Sequence, residues 1–163
     1  MKSITKTTTL IIIAIIFVSL QAFGQNPDLS GFWNRNNTKS DVGGTSFNNI
    51  PRTVEIKQDK ATISIKRTAV NAAGVTSSYT EVIKLNGDSS ETMTPSKLIR
   101  KSSAEWESQV LVINSVSKDA SGMIQQKARQ SFSLDNGGKT LKIDAVQTYS
   151  GREIHLIEVF DKQ

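Results

Sequence analysis

Two arginines of this chain fall into line with apolar residues, and an arginine turned toward an apolar interior is costly unless an anion meets it. Arg67 shares the alternating register of Ile63 and Ile65, and Arg100 shares that of Leu98, Ser102, Ala104 and Trp106. Tyr79 and Glu81 line up with Ile83 and Leu85. Gln126, Ala128 and Gln130 share a face with Ile124, Phe132 and Leu134, while Gln147 and Tyr149 follow Leu141, Ile143 and Ala145. Small and polar side chains therefore recur where a fully packed interior calls for Leu and Ile. The chemistry this suggests is binding. Trp106, Tyr79, Tyr149 and Phe132 would supply apolar wall, the glutamines hydrogen bonds, and Arg67 or Arg100 a bidentate contact to the carboxylate of an acyl ligand, with Glu81 as the alternative counter-ion. A competing reading has both arginine heads reaching solvent at strand ends and the glutamines bonding one another inside a narrow, self-filled interior.

Groups for catalysis are few. The single histidine, His155, lies in a largely apolar strand with no cysteine in the chain, so a metal site would need carboxylates from elsewhere, and a structural or surface role is the simpler expectation. Glu105 and Glu107 flank Trp106 and point to one side, as an acid–base pair would, but they share that face with Lys101 and Ser103 and read as solvated charges. Gly87-Asp88-Ser89 sits in a turn, not on a strand-to-helix elbow, and no phosphate-binding loop or calcium loop is present. The expectation is a protein that is not an enzyme and needs no cofactor or metal.

The elements that must position these residues are strands. Turn chemistry recurs at Gln58-Asp59-Lys60, Asn71 to Gly74, Asn86-Gly87, Asp119 to Gly122, Asn136-Gly137-Gly138 and Ser150-Gly151, with Asn86-Gly87 and Asn136-Gly137 the strongest hairpin signals. Between them, strands are expected at 31–35, 52–58, 61–70, 76–85, 97–107, 109–117, 122–134, 139–149 and 153–160. Val54 and Ile56 alternate with Thr53, Glu55 and Lys57, and Leu141 and Ile143 with Lys142 and Asp144, so one face is wet and the other buried. Eight or nine sequential strands hide their edges most simply as an antiparallel up-and-down meander closed into a barrel, with a two-sheet sandwich as the alternative. The polar stretch from Asn34 to Asn49 is long enough to lie over one barrel mouth.

At the N-terminus, Lys2 and Lys6 precede the apolar run Leu10 to Leu20, followed by Gln21-Ala22-Phe23-Gly24. This reads as a signal peptide over 1–24, cleaved after Gly24, and residues 25–163 as a single domain. The apolar run is too short to serve as a membrane span. The expected location is secreted or periplasmic, with no stable membrane insertion after processing. Zero cysteines in 163 residues exclude disulfides and thiol chemistry. Without Lys2 and Lys6, the 20 basic residues fall to 18 against 15 acidic ones, too even a balance to imply a nucleic-acid partner.

The domain opens on Ser30-Gly31-Phe32-Trp33, a Gly-x-Trp on the first strand, and closes on the strand Ile154 to Phe160 followed by Asp161. This layout resembles the lipocalin-like β-barrel proteins. The resemblance implies an exported barrel in which Trp33 packs across the closed end as a structural residue, and a carrier or sensor of a small hydrophobic or amphipathic molecule. The alternative function is a structural or interaction module of the cell envelope whose barrel its own side chains fill.

Overall fold

Alternation of β-branched and polar residues, broken by Asn, Asp and Gly, drives the chain into strands that turn back on themselves every few residues. The computed structural model describes residues 26–44 and 50–163, so the segment read as a signal peptide lies outside the described residues. Ten strands follow one another: β1 (Gly31–Arg35), β2 (Thr53–Gln58), β3 (Thr62–Val70), β4 (Thr76–Lys84), β5 (Ser90–Met93), β6 (Ile99–Glu107), β7 (Val110–Lys118), β8 (Ile124–Asp135), β9 (Thr140–Tyr149) and β10 (Arg152–Lys162). They form one antiparallel sheet in the order β4-β3-β2-β1-β10-β9-β8-β7-β6-β5, curled until its edges approach each other. A single continuous sheet leaves no place for the sandwich alternative.

Two expectations are corrected. The strand count is ten, because Ser90–Met93 forms a short strand on β6 that four residues of mixed character do not announce. Asn86-Gly87 does turn the chain, with Gly87 at φ 82°. It joins the two edge strands, however, and β4 and β5 form no ladder with each other. The seam between them is closed by side chains. The Lys84 amide donates to Ser90 Oγ at 3.0 Å, and Ser102 Oγ on β6 donates to Glu81 Oε1 on β4 at 3.0 Å.

The interior is divided by height. Toward one end, Leu29, Trp33, Val54, Ile56, Ile63, Ile65, Ile83, Ala104, Leu111, Ile113, Phe132, Leu141, Ile143 and Phe160 form a continuous, almost completely buried cluster. Each large side chain there contributes about 1.5–3 kcal/mol by leaving water. Residues 27–30 cross this end: Leu29 N donates to Gln58 Oε1, Gln58 Nε2 donates to the Pro27 carbonyl, and Trp33 Nε1 donates to the Leu29 carbonyl at 3.1 Å. The Lys162 ammonium lies 5.1 Å from the centre of the Trp33 ring, a cation–π contact that completes the closure. Trp33 is fully buried, as its expected structural role requires.

At the other end, the connection after β1 follows β10 for two further contacts, with Asn36 N on the Val159 carbonyl and Asp41 bridged to Ile157. It then turns Val42 and Ile50 inward onto Ala145, Leu156 and Ile154. Asp41, Val42 and Ile50 therefore lie over part of the mouth.

Candidate functional site at the barrel mouth

Along their inward rows the strands change character at roughly mid-height. Ile65 is followed by Arg67 on β3, Ile83 by Glu81 and Tyr79 on β4, and Ala104 by Ser102 and Arg100 on β6. Ile113 is followed by Ser115 and Ser117 on β7, Phe132 by Gln130 on β8, Ala145 by Gln147 on β9, and Phe160 by Glu158 on β10. In the half of the barrel nearest the mouth these rows are thus polar over an apolar floor, except on the β9–β10 side, where Ala145, Leu156 and Ile154 pack beneath Val42 and Ile50.

Glu81 is the centre of this half. Arg67 Nη1 donates to Glu81 Oε2 at 2.8 Å, Arg100 Nη1 lies 3.6 Å from the same oxygen, and Ser102 holds the other one. Burial alone would raise the pKa of Glu81, but the two guanidinium groups and the Ser102 hydroxyl outweigh it and hold the carboxyl below its ordinary value. Arg67 also donates to Gln130 Oε1 at 3.1 Å. Arg100 donates to Ser117 Oγ at 3.1 Å and to Gln126 Oε1 at 2.9 Å, and Gln126 passes a hydrogen bond to Gln147 Oε1 at 3.1 Å. The arginine side chains are only 12% and 17% exposed, so they do not reach out to the rim. The expected pairing with Glu81 and the expected glutamine-to-glutamine bond both occur, inside one network.

Tyr79 stands beside this network with the Arg100 guanidinium 5.8 Å from its ring centre. Its hydroxyl is buried and makes no well-formed hydrogen bond among the described residues. Burial and then the Glu81 charge push the pKa of this hydroxyl up to about 12, keeping it a neutral donor. A cavity of about 480 Å³ opens here, lined by Arg67, Tyr79, Leu98, Arg100, Gln126 and Tyr149 together with loop residues of the mouth. Tyr149 is largely exposed at the rim. Trp106 and Phe132 are placed elsewhere, in and against the apolar cluster of the floor. Of the residues singled out in the sequence, Arg67, Arg100, Tyr79, Gln126, Gln130, Gln147 and Tyr149 are therefore brought together, and Trp106 is not.

Glu158 was missed because its strand reads as apolar, although it shares the register of Leu156 and Phe160. It is 5% exposed, and burial raises its pKa while Arg67 and Arg35 only partly oppose the rise. A larger concavity of about 880 Å³ lies over the outer face of β6 to β9, where Lys101, Asn114, Lys127 and Thr148 point outward. Its arginine, Arg129, is already held by both oxygens of Glu107. The converging, mostly buried charges are at the mouth. His155 is a surface residue 2.7 Å from Asp144 Oδ1, and Glu105 and Glu107 are solvated as expected.

No family model matches the chain, and no curated protein does either. Solved structures do. The REP1-NXSQ fatty acid transporter is 17% identical over 83% of this chain and 96% of its own, with a TM-score of 0.51. The zebrafish ileal bile acid-binding protein complexed with cholic acid is 15% identical over 82% of this chain and 98% of its own, with a TM-score of 0.52. Echinococcus granulosus fatty-acid-binding protein 1 is 15% identical over 82% and 96%, also with a TM-score of 0.52. The likeness is one of fold: the chain is a nearly closed antiparallel β-barrel like theirs.

Proposed function

We propose that the domain is a non-enzymatic binder of a small amphipathic molecule carrying an anionic group, held at the barrel mouth, and that it acts after export and removal of residues 1–24. One observation carries the reading. Two guanidinium groups converge on the carboxylate of Glu81 beside an open cavity, and among the described residues Arg100 has only this shared oxygen, at 3.6 Å, as its ion-pair partner. The bound groups named for proteins of similar fold, fatty acid and cholic acid, are anionic amphiphiles and agree with this reading. The second reading, an envelope interaction module with a self-filled barrel, draws on the apolar half, where its own side chains do fill the interior.

Native mass spectrometry of the mature protein, purified without delipidation, separates the two. A carrier shows an adduct that Arg100→Ala depletes at least tenfold. An apo mass alone, with no change in Tyr79 or Tyr149 resonances on adding octanoate, overturns the carrier reading in favour of the module.

A further inference from the structure

The barrel's division by height restricts what can bind at the mouth. We infer that the ligand is a compact anion with a second hydrogen-bonding group, and not a long acyl chain, an inference that rests on the carrier reading above. Volume does not decide this, since about 480 Å³ lies within the usual range for small-molecule pockets. Depth and lining do. No residue of the apolar cluster lines the cavity, because Ile65, Ile83, Ile113, Phe132 and Ile143 are at most 2% exposed and close the floor beneath it. From Arg67 to the end of β3 at Val70 the strand advances about 10 Å at about 3.3 Å per residue, and tilt shortens this further. Extended hexadecanoate is longer than that.

The walls reject methylenes as well. A chain laid against Arg100 and Gln126, which line the cavity and bond each other, returns no hydrogen bond to the polar atoms they still turn to water, at a cost of about 1–3 kcal/mol for each one stripped of it. Each methylene buried offsets only about 0.8 kcal/mol. A ligand with polar groups along its body avoids that loss. The Tyr79 hydroxyl, buried and without a well-formed hydrogen bond, supplies a specific donor to such a ligand. The anionic group then lies against the Arg67 and Arg100 guanidinium edges, the second polar atom accepts from Tyr79, and the small apolar remainder rests on the floor.

Calorimetric titration with straight-chain carboxylates from butanoate to hexadecanoate, and with benzoate and para-hydroxybenzoate, tests this. Affinity is expected to level off by decanoate, and para-hydroxybenzoate to exceed benzoate at least fivefold, a margin that Tyr79→Phe abolishes. A rise of about fourfold per methylene continuing to hexadecanoate, the value for unhindered burial, overturns the inference while upholding a carrier. Equal binding of the two benzoates in the unsubstituted protein also overturns it. Failure of every carboxylate to bind overturns the inference and the carrier reading together.

Discussion

Arg67 and Glu81 meet at 2.8 Å although neither is the other's direct neighbour across the β3–β4 ladder: Arg67 stands opposite Tyr79, and Glu81 opposite Ile65. The contact is diagonal, the long guanidinium stem leaning toward the floor to reach the carboxylate. This places the Tyr79 ring above the ion pair and leaves Arg100 to approach the same oxygen from β6. One carboxylate thereby joins strands from both sides of the seam.

Replacing that carboxylate should be expensive. Glu81→Gln keeps the shape but leaves two mostly buried guanidinium groups without their anion, and a loss of about 3–5 kcal/mol in urea unfolding at neutral pH is expected. Glu107→Gln, which removes an exposed partner of Arg129, should cost less than about 1 kcal/mol. Similar losses from the two variants would mean that Glu81 is not the centre of the network.

The two buried glutamates should bend the pH profile in opposite directions. Glu81 has a folded pKa below its ordinary 4.5, so its contribution is present above pH 4.5 and is lost as pH falls through the lower folded value. Glu158 has a folded pKa above 4.5, so stability is favoured while it is protonated and declines as pH rises through the raised value. Thermal unfolding scans should therefore show a stability maximum on the mildly acidic side. Glu158→Gln should raise the melting temperature at neutral pH and remove the decline on that side of the maximum; no change in either would show that Glu158 is not strained by burial.

The placement of Asp41 and Val42 over the mouth depends on one residue without a side chain. Gly43 has φ 56°, and a Cβ there would run into the His155 carbonyl oxygen. Gly43→Ala should destabilise the protein by more than about 1 kcal/mol and speed hydrogen exchange at Asp41 and Ile157, whose amides are bonded across that contact. Gly74→Ala, at φ 78° but in open space, isolates the conformational part of the cost and should be milder.

What the sequence made legible follows from how each signal is encoded. Arg67 and Arg100 could be placed on the inward face because β3 and β6 run without a bulge, so parity carries unbroken from the isoleucines and from Ala104. The one shift among the described residues, between Ser117 and Lys118 on β7, falls next to Gln126 on β8, and it turns Ile124, expected to share the inward face of Gln126, to the outside. Glu158 escaped notice because average hydropathy hides a single charge in an apolar strand, whereas parity with Leu156 and Phe160 would have exposed it. The strand Ser90–Met93 escaped because four residues, two of them exposed, carry no period. Trp106 was placed correctly by face and wrongly by height, since parity says which way a side chain points but not how far along the barrel axis it stands. Height depends on the register between strands, and register is a property of pairs of segments.

The seam has a consequence for how the protein keeps to itself. Both free edges of the sheet, on β4 and β5, bear backbone donors and acceptors of the kind that recruit strands from other molecules. Glu81, with Ser102 and Arg100 across the gap, draws the two edges together so that each faces the other and not the surroundings. The same carboxylate that organises the mouth thus acts as a safeguard against self-association, and concentration-dependent clumping is the form in which its loss would first be noticed.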